Sequence, residues 1–282
     1  MDDRGPWRER DVNDWIVAPS ESDDKYSRGV LGVVTGSGRY PGAAVLGVEA
    51  AARTGVGMIR YLGAAHTAAE VLRRRPEAVT APGRVQAWLL GSGMDAASRT
   101  PDDTRRLRDA LADGTPLVID AGALDLVPEA AGPVVITPHA RELALMLAGG
   151  DDPDAITADG IRSGPAVWAA RAAASFGVTV LLKGHTTHIA TPGGTHRTVT
   201  AGTPWLATAG SGDVLGGVLG ALVATHADAV RDQGHDALAA LAATAAWLHG
   251  RAGLRASGGG PIAALDIAEA LPAVVRGLLS AR

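Results

Sequence analysis

The residues best suited to chemistry are Gly210-Ser211-Gly212-Asp213, inside the stretch Thr208-Ala209-Gly210-Ser211-Gly212-Asp213-Val214-Leu215. Small residues where a loop becomes a helix let successive main-chain N–H groups converge, and the helix start adds unpaired donors and a positive dipole end. Such a cup suits a phosphate or an oxyanion. A carboxylate repels phosphate, so Asp213 has two readings. It accepts a proton from the group that attacks or leaves beside the phosphate, or it caps a helix that begins with glycine. The four residues alone do not choose between them. Lys183 poses a related question, because it ends the apolar run Val178-Thr179-Val180-Leu181-Leu182. An ammonium there is costly unless an anion or a carboxylate meets it.

The elements that must position these groups are legible from hydrophobic spacing. After the cup, Val214, Leu215, Val218, Leu219, Leu222 and Val223 recur as pairs four apart, one face of a helix. Before it, Thr203-Pro204-Trp205-Leu206 reads as irregular. Upstream, the pattern predicts strands at 30–34, 58–62, 85–90, 116–119, 133–136 and 178–182, with helices near 43–54, 66–75, 101–112 and 165–176. A polar loop is expected over 151–157. His188-Ile189-Ala190, the turn Thr191-Pro192-Gly193-Gly194 and 195–200 predict a hairpin that gives the sheet antiparallel strands at one edge. Two Ala-rich helices, near 235–255 and 265–279, complete the chain, their apolar faces best read as core.

Near-continuous apolar strands alternating with helices predict an α/β fold with a mostly parallel sheet covered on both faces. Ligands gather at the carboxyl ends of such strands, where Gly93, Asp120 and His139 all fall. Each also has a plain structural reading: a turn glycine, a capping aspartate, a histidine satisfied by local backbone. Gly36-Ser37-Gly38-Arg39-Tyr40-Pro41-Gly42 does not have the dinucleotide-fingerprint spacing, and no acidic residue ends the next strand, so it is read as a loop packing against a ligand.

Composition narrows the partners. A formal charge of −4 over 282 residues gives no electrostatic case for nucleic acid or an anionic membrane surface. There is no cysteine, hence no disulfide or thiolate chemistry. Without an apolar run of spanning length or a signal-peptide pattern, the chain is expected to be soluble and cytoplasmic. Residues 1–28 are expected to form a polar, partly flexible lead-in with one docked turn at Trp15-Ile16-Val17, followed by one domain over 29–282.

Gly210-Ser211-Gly212-Asp213 before a helix resembles the G-x-G-D anion hole of the ribokinase-like superfamily. Further stretches resemble the ADP- or ATP-dependent NAD(P)H-hydrate dehydratases within it. Tyr40-Pro41-Gly42-Ala43-Ala44, with Arg53-Thr54-Gly55-Val56-Gly57, is similar to that family's PGAA…RAGAG segment. Gly91-Ser92-Gly93 is similar to its GPG, and Asp120-Ala121-Gly122-Ala123-Leu124 to its DADAL. Thr137-Pro138-His139-Ala140-Arg141-Glu142 resembles TPHPGE, Lys183-Gly184-His185-Thr186-Thr187 resembles KGAGT, and Leu248-His249-Gly250-Arg251-Ala252-Gly253 resembles the HGxAG helix. The matches run in family order from Leu31 to Gly253. Ala209, Gly122, Ala140-Arg141 and His185-Thr186 depart from the pattern, the last two replacing Pro-Gly and Ala-Gly.

The resemblance implies a three-layer αβα ribokinase-like fold and a nucleotide-dependent dehydration of hydrated NADH or NADPH. It implies Asp213 as the catalytic base and the N–H groups of Gly210, Ser211 and Gly212 as the anion hole. Lys183, Gly184, His185, Thr186, Thr187 and Gly212 would line ADP or ATP; Ala43, Gly93, His139 and Asp213 would contact the substrate. Mg²⁺ would accompany the nucleotide, with no protein residue assigned as its ligand. A stand-alone dehydratase and a homo-oligomer such as a tetramer are expected. The rivals are a ribokinase-like kinase of a vitamin precursor and a non-catalytic nucleotide sensor of the same fold.

Overall fold

Proline opens three of the helices at positions where its missing N–H costs nothing, and left-handed glycines close three, two of them the same helices, so the alternation of strand and helix is written into the local chemistry. The molecule is described from a computed structural model, which covers residues 2–148 and 156–281. A strand β1 (Asp2–Pro6) and a short helix α1 (Glu9–Asn13) come first. The alternation then runs β2 (Val30–Val34), α2 (Pro41–Thr54), β3 (Met58–Tyr61), α3 (Ala65–Arg74), β4 (Ala87–Leu90), α4 (Pro101–Leu111) and β5 (Leu117–Ile119). A 3-10 turn (Ala121–Glu129) leads to β6 (Val134–Ile136), α5 (Ala140–Leu147), α6 (Ala158–Ser163), α7 (Pro165–Phe176) and β7 (Thr179–Leu182). The hairpin is β8 (Thr187–Ala190) and β9 (Thr195–Val199), and four helices follow: α8 (Ser211–Thr225), α9 (Ala227–Gln233), α10 (His235–Ser257) and α11 (Ala264–Ser280).

Among the described residues the strands form one nine-stranded sheet in the order β1-β9-β8-β7-β6-β5-β4-β2-β3. All neighbours are parallel except β7 with β8 and β8 with β9, so the single reversed strand is β8. Successive strand residues feed opposite faces. Leu31, Leu89, Val118, Val135 and Leu181 pack under α2, α8, α10 and α11, while Val30, Leu90, Ile119, Ile136 and Val180 pack against α4, α5 and α7. This is the expected three-layer αβα arrangement, and α10 is core along most of its length. No single described helix is long and apolar enough to cross a membrane.

Three features differ from the sequence reading. The lead-in does more than dock one turn. β1 pairs in parallel with β9, the Trp7 N–H donates to the Thr198 carbonyl at 2.8 Å, and Val12 and Ile16 are buried in the core. The edge of the sheet is therefore β1, because the outer rim of β9 offers unpaired N–H and C=O groups that any extended segment can meet. Helix α9 had no apolar stripe to announce it. The loop expected over 151–157 lies outside the described residues up to 155, and Thr157 caps α6, accepting from the Gly160 N–H at 3.1 Å.

Candidate active site

Helix α8 begins where Gly210 adopts φ +86°, a left-handed conformation that L side chains rarely take. A Cβ there would also stand 2.5 Å from Leu46 Cδ1, so the cup requires glycine on both counts. The turn before the helix uses one of the three expected amide donors: the Ser211 N–H donates to the Thr208 carbonyl at 3.3 Å. The N–H groups of Gly210, Gly212 and Asp213 have no acceptor among the described residues. The first turns of α8 lie over the end of β4, since a Cβ on Gly216 would sit 3.5 Å from Ser92 Oγ.

Strand ends deliver the charged groups. Lys183 follows β7 and bridges to His139 after β6, its N–H donating to the Pro138 carbonyl at 2.9 Å. Its ammonium donates to Asp120 Oδ1 at 2.9 Å and stands 3.8 Å from Glu142 Oε2. A Cβ on Gly212 would be 3.6 Å from Lys183 Nζ, so this ammonium stands beside the helix start. Asp120 is fixed in turn by Ser92 Oγ at 3.2 Å. Burial alone would lower the pKa of Lys183, but Asp120, Glu142 and Asp213 more than offset it and hold the pKa above the ordinary value. The question raised by an ammonium at a strand end is answered by carboxylates.

Asp213 is the opposite case. No described residue forms an ion pair or hydrogen bond with its side chain. Burial first, and the charge of Asp120 second, push its carboxyl up to about 6, with Lys183 pulling the other way. A carboxylate poised there is mostly ionised at neutral pH yet still basic enough to take a proton.

The expected nucleotide residues converge. A cleft of about 670 Å³ is lined by His139, Lys183, Gly184, His185 and Thr187 on one side and by Ser211 and Gly212 on another. Its far wall is α10, where His249 meets Ser211 Oγ at 3.1 Å and is held to about 4 by burial, hence neutral. Thr186 turns to a second cleft and bonds Thr200 Oγ1 at 2.8 Å. Asp213 and Gly210 do not line the first cleft. Ala43 is buried against Gly93, where an added Cβ would come within 2.3 Å of the alanine's own. His139 caps α5, its Nδ1 accepting from the Glu142 N–H at 3.1 Å while Glu142 Oε2 accepts from the His139 N–H at 2.8 Å. The helix-cap geometry leaves the rest of the ring half-exposed at the cleft rim.

Sequence reasoning gave no site role to His249, Ser92 or Glu142. For His249 the HGxAG resemblance was the available signal; Glu142 was visible only as a first-turn acid. The Gly122 departure has a packing reason, since a Cβ at that position would lie 2.3 Å from the carbonyl carbon of Met94. Among the described residues, no group of three or more His, Asp or Glu is placed to hold a metal ion.

A family model described as NAD(P)H-hydrate dehydratase matches residues 31–272. The chain belongs to the NAD(P)H-hydrate dehydratase family. Among its relatives, the bifunctional NAD(P)H-hydrate repair enzyme Nnr of Mycobacterium leprae is 44% identical over 229 residues, covering 76% of this chain and 45% of that protein. The chain thus spans about half the length of the bifunctional relatives it matches. The ADP-dependent (S)-NAD(P)H-hydrate dehydratase of Xanthomonas campestris is 33% identical over 234 residues, covering 75% of this chain and 78% of that one. Among solved structures, the ADP/ATP-dependent NAD(P)H-hydrate dehydratase of Bacillus subtilis, co-crystallised with ATP and Mg²⁺, superposes with a TM-score of 0.81 at 24% identity, covering 97% and 98% of the two chains. A ribokinase-like superfamily protein of Enterococcus faecalis gives 0.81 at 22% identity over 98% and 96%. These two likenesses establish the ribokinase-like fold.

Proposed function

We propose that this chain dehydrates hydrated NADH or NADPH at the expense of a nucleotide's terminal phosphate. The observation that carries the reading is the pairing at the helix start: Lys183 is held by Asp120, so Asp213 stays without a counter-ion beside amides that have no acceptor. Hydroxide is a poor leaving group, and phosphate a good one. In the proposed reaction Asp213 takes the proton of the ring hydroxyl as its oxygen attacks the terminal phosphorus of ADP or ATP, whose bond to the bridging oxygen breaks to release AMP or ADP. The amides of Gly210, Ser211 and Gly212 receive the moving phosphoryl oxygens, Gly210 and Gly212 with donors already unengaged. Inorganic phosphate then leaves as an adjacent ring C–H gives up its proton, and the ring double bond returns.

Lys183, Gly184, His185 and Thr187, which line the first cleft, are assigned to the nucleotide, and Ala43, Gly93 and His139 to the hydrated dinucleotide. Mg²⁺ is proposed to arrive on the nucleotide's phosphates, where it would neutralise charge during transfer. The described residues offer it no cage, so none is assigned to it.

Incubating the protein with hydrated NADH and ADP or ATP tests the proposal. Recovery of the nicotinamide absorbance with stoichiometric phosphate release is expected. Accumulation of a stable phosphate ester, or tight nucleotide binding with no turnover, would instead favour the kinase or the sensor.

A further inference from the structure

The ridge Lys183-Gly184-His185 has a cleft on each side. The second, about 710 Å³, is lined by Arg141, Arg162, His139, His185 and His188, and no carboxylate is among its described lining residues. We propose that this basic cleft binds the phosphate monoester on the adenosine ribose of hydrated NADPH and so makes the chain prefer that substrate to hydrated NADH. The inference rests on the dehydratase reading above.

The argument for a phosphate begins with Arg141. Its side chain is exposed on the first turn of α5 and has no carboxylate partner among the described residues. Several arginines elsewhere are already committed to an acid: Arg53, Arg74 and Arg75 share Glu49, Arg99 holds Asp125 and Arg108 holds Glu129. Among the described residues Arg162 pairs only with Asp159 on its own helix, an exposed pair of the kind worth little and easily exchanged. A planar guanidinium presents two parallel N–H donors that match a phosphate's oxygens. His188, half-buried, has its pKa lowered, first by burial and then by His196, which leaves it a neutral hydrogen-bonding group.

Position supplies the rest. His139 lies on the rim of both clefts. A dinucleotide that contacts His139 with its nicotinamide end toward Asp213 has the second cleft open to its other end. Arg141 stands where the resembled family pattern has glycine, so its charge is added by this chain at the rim, and His185 replaces an alanine beside it. The two candidate substrates differ in one dianionic group, which is the chemistry that an unpartnered arginine would recognise.

The test compares kcat/KM for hydrated NADPH and hydrated NADH in the wild type, Arg141→Ala and Arg141→Lys, at saturating nucleotide. The wild type is expected to favour hydrated NADPH. Arg141→Ala should lose about tenfold or more with that substrate through KM, with hydrated NADH and the nucleotide KM unchanged within about twofold. Arg141→Lys should fall between the two. Equal losses on both substrates would overturn the inference, and so would a rise confined to the KM for ADP or ATP, which would give the cleft to the nucleotide's phosphates. If the wild type turns over neither substrate, the dehydratase reading fails by itself, and calorimetric titration with NADP⁺ and NAD⁺ still decides. Tighter NADP⁺ binding lost in Arg141→Ala supports the phosphate subsite; equal affinities refute it.

Discussion

Asp213 is left basic because its nearest cation is already occupied. Lys183 gives its hydrogen bond to Asp120, and the Asp120 charge and burial together raise the Asp213 carboxyl to about 6. Turnover that depends on ionised Asp213 should therefore rise with pH through about 6 and level off above it, a profile read from kcat/KM. The same shift has a stability consequence. A carboxyl whose folded pKa lies above its unfolded value favours the fold while protonated, and that advantage is lost as pH rises through about 6. At 1.36 kcal/mol per pKa unit, ionised Asp213 costs the fold on the order of 3 kcal/mol. Asp213→Asn should thus unfold at higher denaturant than the wild type at pH 8, with the gain shrinking below pH 6 and gone near pH 3.5. The types and order of Asp213, Lys183, Asp120 and His139 were legible in the sequence. The Ser211 amide turning back to Thr208 was not, because a turn hydrogen bond depends on backbone angles that residue types leave open.

Helix α8 makes its closest approach to α2 at a glycine pair, Gly217 against Gly47. A Cβ on Gly217 would stand 2.2 Å from the Gly47 carbonyl oxygen and 2.9 Å from Ala50 Cβ. Gly217→Ala should push the helices apart and cost about 1–3 kcal/mol, measured by denaturant unfolding, with turnover falling as the cup shifts off β4. The strands β2 to β7 and the helices α2, α3, α4 and α7 followed from apolar runs and punctuation, because a sheet buried on both faces writes continuous hydrophobic strands, whereas the short α6 did not. Strand β1 escaped that reading. Asp2-Asp3-Arg4-Gly5-Pro6 has no apolar alternation in the sequence, and the strand is set by its parallel pairing with β9. Helix α9 is short and polar on most positions, so tertiary context forms it.

The whole molecule is tied by a buried acid far in sequence from the cup. Glu49 of α2 is fully buried and receives Arg53, Arg74 and Arg75, the last with Nε at 2.6 Å and Nη2 at 2.7 Å, while Arg74 also reaches Glu269 of α11 at 2.7 Å. Burial would raise the Glu49 carboxyl, but the three guanidiniums more than offset it and hold it at about 2. A depressed folded pKa contributes stability above the unfolded value that is lost as pH falls toward 2. Glu49→Gln should therefore destabilise the fold by on the order of 3 kcal/mol at pH 7 and by clearly less at pH 3, measured by denaturant unfolding at both. The residues around this cluster place α2, α3 and α11 against one another, and α2 in turn supports α8, so the cup is held by the fold as a whole.

The most direct measurement is single-turnover dehydration of hydrated NADH by Asp213→Asn, alongside its affinity for ADP. The cup-and-base account predicts a rate lower by about a hundred- to ten-thousand-fold, with ADP bound within about twofold of the wild type. A variant that restores the nicotinamide at the wild-type rate would contradict it.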